Sequence, residues 1–206
     1  MILIKRIEVS EKKLIKQIVQ IHLKTFPGFF LTFMGKGFLN QMYACYCSHP
    51  ASGLYVAFDE EKPVGFLAFS SDFSGLYKYM IKHKLFAFMW YSIGAFFRKP
   101  KVFLRLVRAL LKPGEAKRKE DYVELSSIGV APEQKGKGIG SLLIDKLKED
   151  TDFTKFTYIN LETDAENNEA ANRFYQKNGF KLFRTYQTRE GREMNEYRYT
   201  EKDPIS

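Results

Sequence analysis

Cysteine, histidine and tryptophan are scarce in this chain of 206 residues, with two, three and one copies. Cys45 and Cys47 flank a single tyrosine, a spacing that suits neither a disulfide framework nor a zinc site. Three scattered histidines give no metal cluster to build on. A run of 18 uncharged apolar residues is also missing, and Met1 to Val9 is short and interrupted by Lys5, Arg6 and Glu8. The expectation is therefore neither a membrane-spanning helix nor a cleavable signal, and a reducing cytoplasm as the setting. Internal repeats and low-complexity segments are lacking too. Acidic residues are scarce in one place only. From Tyr77 to Glu120, twelve lysines and arginines stand against Glu115 and Glu120, so the overall charge of +9 belongs to that segment.

With 45% hydrophobic residues, the chain can bury one substantial core. Its most informative stretch runs from Val123 to Ile144. Val123 to Val130 is rich in Val, Leu and Ile and is closed by Pro132, which predicts a strand. Glu133 to Gly140 is a turn in which Gly136, Gly138 and Gly140 let the backbone approach a ligand. From Ser141 a helix is expected, with Leu142, Leu143 and Leu147 on one face. A strand feeding a glycine turn that opens a helix suits a phosphate, because the first helical amides are unpaired and the macrodipole is positive there. Lys135 and Lys137 add full charges. A ligand-free glycine connection has the same pattern. The Walker and dinucleotide motifs do not fit, since Gly138 follows Lys137 and one residue is missing between the last two glycines.

Lys135, Gly138 and Gly140, led by Val130-Ala-Pro-Glu133, resemble motif A of the GNAT superfamily of N-acyltransferases, with Lys135 in place of the usual Gln or Arg. About 30 residues on, Asn168-Glu-Ala-Ala-Asn-Arg-Phe-Tyr175 followed by Gly179-Phe180 resembles its motif B. The resemblance is close from Val123 to Phe183 and loose in the N-terminal third. It implies an α/β (α+β) fold in a single domain, 1–206, with a mixed central sheet of about seven strands flanked by helices. Strands 4 and 5 would splay apart. Ordinary members join strands 3 and 4 by a short connection, so the helical insertion expected here at about 72–120 is a departure from the family pattern. The resemblance also implies acetyl-CoA or a related acyl-CoA as cofactor. The cofactor would be held along Ile128, Gly129 and Val130, by the turn Lys135, Gly136, Lys137, Gly138, Ile139, Gly140 and Ser141, and by Asn168.

By the same resemblance Tyr175 stands where the family places its general acid. A phenol is protonated at neutral pH and can supply a proton to a departing thiolate. A tyrosine packed in a helix–sheet core is the plainer alternative. Glu124, on the fourth strand, and Glu162, ending the fifth, match bases of two branches of the family, with Glu124 the first choice. Both could also be ordinary strand-end carboxylates. Strict alternation would put Glu124, Ser126, Ile128 and Val130 on one face.

Elsewhere, Ile2 to Val9 predicts a strand and Ser10 caps a helix carrying Leu14, Ile15, Ile18, Val19 and Leu23. Phe29, Phe30, Phe33 and Tyr43 are either core or one wall of an acceptor pocket. Leu54 to Phe58 and Pro63 to Phe69 make a hairpin. Leu76 to Phe97 and Lys101 to Lys112 read as two helices, the second with a basic face of Lys101, Arg105, Arg108 and Lys112. That segment is packed structure with a solvated basic edge, a surface for anionic membrane, or a rim for an anionic acceptor. Nucleic acid is not expected, since no recognition motif accompanies the charge. Thr157 to Glu162 is a strand, Asn167 or Asn168 caps the helix that stops at Gly179, and a final hairpin turns at Glu190-Gly191.

The expected activity is transfer of an acetyl group to a small-molecule primary amine by a monomer or homodimer. Thr25 to Gly35 resembles GNAT proteins of bacterial glycan clusters, which puts an amino sugar ahead of a peptide N-terminus or other small amine. A peripheral membrane or partner-binding module on a GNAT scaffold is the alternative.

Overall fold

In the computed structural model, residues 1–98, 100, 121–188 and 191–201 are described. Their strands form one seven-stranded sheet in the order β1-β2-β3-β4-β5-β7-β6. These are β1 (Ile2–Arg6), β2 (Ser52–Asp59), β3 (Lys62–Ser70), β4 (Tyr122–Val130), β5 (Tyr158–Asp164), β6 (Lys181–Gln187) and β7 (Glu193–Tyr199). Neighbours are antiparallel except β4 and β5, which run parallel.

Six α-helices among the described residues cover the two faces. On one face lie α1 (Lys12–Thr25), α2 (Phe30–Met34), α3 (Lys36–Ser48) and α4 (Phe73–Arg98). They bury Ile18, Val19, Leu39, Tyr43 and Leu76 against Val56, Phe66 and Ala68 of the sheet. On the other face α5 (Ile139–Asp150) and α6 (Glu169–Lys177) set Leu143, Leu147, Phe174 and Tyr175 against Leu67, Leu125, Leu161 and Tyr197. Burial on both faces explains why β2 and β3 read as nearly continuous apolar runs rather than alternating ones.

Local signals place the elements well, with three differences at helix starts, the first being that α5 begins at Ile139 rather than Ser141. Position Glu11, not Ser10, precedes α1, and no side chain caps it; instead a Glu11 carboxylate oxygen accepts the Glu8 amide at 2.9 Å. Helix α4 starts three residues before the expected Leu76, because the Asp72 carboxylate accepts the Gly75 amide at 2.8 Å and so caps the first turn. The second helix expected from Lys101 to Lys112 lies outside the described residues.

Two groups in the α1–α4 layer have unusual surroundings. Cys45 is buried and Cys47 partly so, and burial pushes their thiols up to about 11 and about 12. His22 is only 3% exposed. Its Nδ1 lies 2.7 Å from the Tyr43 hydroxyl, its ring is 4.9 Å from Phe26 and 6.1 Å from Phe66, and Nε2 has no hydrogen-bond partner among the described residues.

Burial lowers the His22 pKa from 6.5 to about 4. The unfolded chain therefore takes up the proton more readily than the folded one. Stability from a neutral His22 is complete above about pH 6.5 and declines as the pH falls towards 4. Urea denaturation at a series of pH values should show His22→Gln losing less stability on acidification than the parent, by up to about 3 kcal/mol.

Candidate active site

The site begins where β4 and β5 part. Their register pairs Tyr122 with Tyr158, Val123 with Ile159 and Glu124 with Asn160, and then stops. Beyond that point β4 stays paired to β3, and β5 stays paired to β7 as far as Asp164. Six residues of β4, Leu125 to Val130, thus have no strand beside them on the β5 side.

A bulge in β4 sets which side chains face which way. Ala68 pairs with Ser127 and Phe69 with Leu125, so Ser126 is an extra residue. The alternation expected for Glu124, Ser126, Ile128 and Val130 is accordingly broken. Ile128 and Val130 pack with the α5–α6 layer, while Ser126 and Ser127 face the Tyr46 and Tyr43 hydroxyls of α3. Gly129 falls on the α1–α4 face, where a Cβ would sit 2.7 Å from the Phe66 ring and 3.2 Å from Phe26.

A cleft of about 980 Å³ runs through the gap. His22, Phe26, Phe29, Leu31 and Phe33 line it from the α1–α2 side, and Tyr175 lines it from the opposite layer. Ser126, Ser127 and Ile128 supply one edge; Glu162, Thr163 and Asp164 supply the other. Thr25, ending α1, donates its hydroxyl to the Val130 carbonyl at 3.0 Å and fixes that wall to β4.

Of the expected site residues, Ile128, Glu162 and Tyr175 meet in this cleft. Tyr175 packs against Phe174, Phe180 and Tyr197, and burial pushes its hydroxyl up to about 12. Glu162 accepts the Tyr186 hydroxyl at 2.7 Å. Glu124 is not part of the lining. It sits at the apex of the gap, on the last paired position, and accepts the Asn160 side-chain amide at 2.8 Å. Burial and the nearby Glu124 together push Tyr77 up to about 12.

Asn168 occupies the N-cap position of α6 without capping it. Its side chain turns back to Thr163 Oγ1 at 2.7 Å and the Asp164 carbonyl at 3.3 Å, which ties α6 to the end of β5. Of the pocket-wall aromatics, Phe29 and Phe33 line the cleft, whereas Tyr43 is fully buried behind it. Sequence reasoning passed over His22, although it continues the Ile15, Ile18, Val19 spacing on the buried stripe of α1. It also passed over Arg192, which pairs with Asp164 at 2.6 Å at the cleft edge.

The glycine turn follows β4 directly and lies outside the cleft lining. Gly136 and Gly138 have φ of +81° and +77°, which favour glycine, and a Cβ on either would meet nothing within 4 Å. Gly140 also serves packing: a Cβ there would lie 2.9 Å from Phe174. No side chain caps α5, and the amides from Gly136 to Ser141 have no acceptor among the described residues. Open space over the glycines, unpaired amides and exposed Lys135 and Lys137 fit a phosphate-bearing group.

Solved structures resemble this fold across nearly its whole length. The polyamine N-acetyltransferase of Drosophila melanogaster aligns at TM-score 0.62 and 13% identity, covering 97% of this chain and 100% of that one. The ribosomal-protein-S18-alanine N-acetyltransferase of Escherichia coli gives 0.57 and 13%, with 100% and 99% covered. Arabidopsis thaliana NAA60, in complex with acetyl-CoA, gives 0.57 and 15%, with 98% and 99% covered. Identities this low speak for the fold alone. No curated protein sequence matches the chain significantly. A family model described as the acetyltransferase (GNAT) family does match, over residues 15–180, and on that match the chain belongs to the GNAT family of acetyltransferases.

Proposed function

We propose that this protein transfers an acetyl group from acetyl-CoA to a primary amine, with an amino sugar or another small amine as acceptor. The observation that carries this reading is the cleft through the β4–β5 gap. It connects the Tyr175 hydroxyl on the α6 side with the aromatic wall of α1 and α2 on the other, beside an open glycine turn. Two reactants can therefore reach one point from opposite layers.

Acetyl-CoA, when bound, supplies an acyl group activated as a thioester. On our reading the amides of the Gly136–Ser141 turn, with Lys135 and Lys137, hold its phosphates. The edge of β4 from Ile128 to Val130, which β5 leaves uncovered, holds the arm, and Asn168 flanks it. Tyr175 keeps its proton to about pH 12 and has no hydrogen-bond partner among the described residues. Its hydroxyl is therefore available to protonate the departing thiolate. Glu124, at the apex of the gap, takes the proton of the amine through a water. Glu162 is the second candidate because it lines the cleft itself. Phe26, Phe29 and Phe33 give the acceptor side an apolar floor, with the Glu162 carboxylate at the rim to attract a cationic amine.

Calorimetric titration with acetyl-CoA and desulfo-CoA tests the cofactor site. Binding of order micromolar is expected for the parent. Gly138→Asp should abolish it, since the side chain enters the open space and its charge opposes a phosphate at the helix N-terminus. Failure of the parent to bind any acyl-CoA would overturn the reading.

Tyr175→Phe should lower kcat roughly a hundredfold while leaving KM for acetyl-CoA nearly unchanged. Thiol release with an amino-sugar acceptor measures it, and an unchanged kcat would remove Tyr175 from the chemistry. Comparing Glu124→Gln with Glu162→Gln in the same assay identifies the base by which one abolishes the rise of kcat with pH.

A further inference from the structure

The outer face of α4 plays no part in the site. The helix packs inward through Leu76, Met80, Phe88 and Ser92, with the Phe88 ring 4.7 Å from Phe38. Outward it presents Phe86, Met89, Trp90 and Ile93, which are 84%, 55%, 71% and 46% exposed. Spacing of i, i+3, i+4 and i+7 puts these four on one stripe. Lys78 and Lys82 extend that stripe towards the N-terminus, and both are exposed. Single exposed apolar residues are ordinary, but an apolar row of this length on the surface calls for a partner.

Charge identifies the partner. From Phe73 to Gly114 the sequence contains no aspartate or glutamate, while basic residues recur throughout. We propose that the outer face of α4 docks on the surface of an anionic lipid bilayer. The apolar stripe enters the interface between headgroups and acyl chains, and Lys78 and Lys82 reach back to the headgroups. Tryptophan is well suited to that depth because its ring is apolar while its N–H can bond to headgroups. A second copy of the chain would bring an equally basic, acid-free segment, so like charge opposes its approach. No helix among the described residues is long and apolar enough to cross a membrane, so α4 lies along the surface. Because α4 packs on α2, and α2 carries Leu31, Thr32 and Phe33 of the cleft wall, docking places the acceptor side of the cleft near the lipid.

Trp90 is the only tryptophan, so its fluorescence reports this face directly. The full chain is mixed with vesicles of phosphatidylcholine containing about one third phosphatidylglycerol, or of phosphatidylcholine alone. With anionic vesicles, the Trp90 emission should move to shorter wavelength and the protein should co-sediment, less so as salt is raised. Neutral vesicles should do neither. Phe86→Ser and the pair Lys78→Glu with Lys82→Glu should each weaken partitioning roughly tenfold or more. Their circular dichroism should match the parent. An unshifted emission with anionic vesicles, or equal sedimentation of parent and variants, overturns the proposal. So does concentration-dependent self-association that shifts Trp90 without lipid. Acetyl-CoA titration of the same variants reads the proposed cofactor site separately, since Phe86, Lys78 and Lys82 lie outside it.

Discussion

Everything in the site depends on the hydrogen bonding between β4 and β5 ending after the Glu124–Asn160 pair. Had it continued, the sheet would be closed and the two helical layers would be sealed from each other. The parting is stable because each strand is held from its other side, β4 by β3 and β5 by β7. An unpaired strand edge inside a sheet is a row of donors and acceptors in search of partners. An extended ligand with amides of its own would match that edge, and on the proposed reading the glycine turn after β4 receives its charged end.

The same parting divides labour between the layers. The α5–α6 layer presents open glycine backbone and the Tyr175 phenol. The α1–α2 side presents aromatic rings, anchored by the Thr25 hydroxyl on the Val130 carbonyl. Related folds act, as their names state, on a polyamine in one case and a ribosomal-protein alanine in another. Such variety is expected when the acceptor wall is built from short helices and loops, which can change without disturbing the strands.

Much of this was legible in the sequence because it rests on local chemistry. The glycines at positions 136 and 138 announce positive φ, Gly179 announces the end of a helix, and apolar runs announce buried strands. Features that depend on pairing were not legible. The bulge at Ser126 follows from the register of β3 against β4, and no residue type signals it, so the expected alternation along β4 failed from that point. The role of Asn168 was hidden for the same reason, since its partners Thr163 and Asp164 are set by where β5 ends. Gly140 meets a second need that only the fold reveals, since a Cβ there would press on Phe174 of another helix. His22 had a readable position on the buried stripe of α1, yet its contact with Tyr43 required the fold.

The cysteines on α3 have a consequence for chemistry performed on the protein rather than by it. A thiol reacts as its thiolate, and with values near 11 and 12 only a minute fraction of Cys45 or Cys47 is ionised at neutral pH. Disulfide-exchange dyes and maleimides will therefore find almost nothing to label on the folded chain. Slow labelling of Cys45 and Cys47 means that the protein contributes little background when a released thiol is followed.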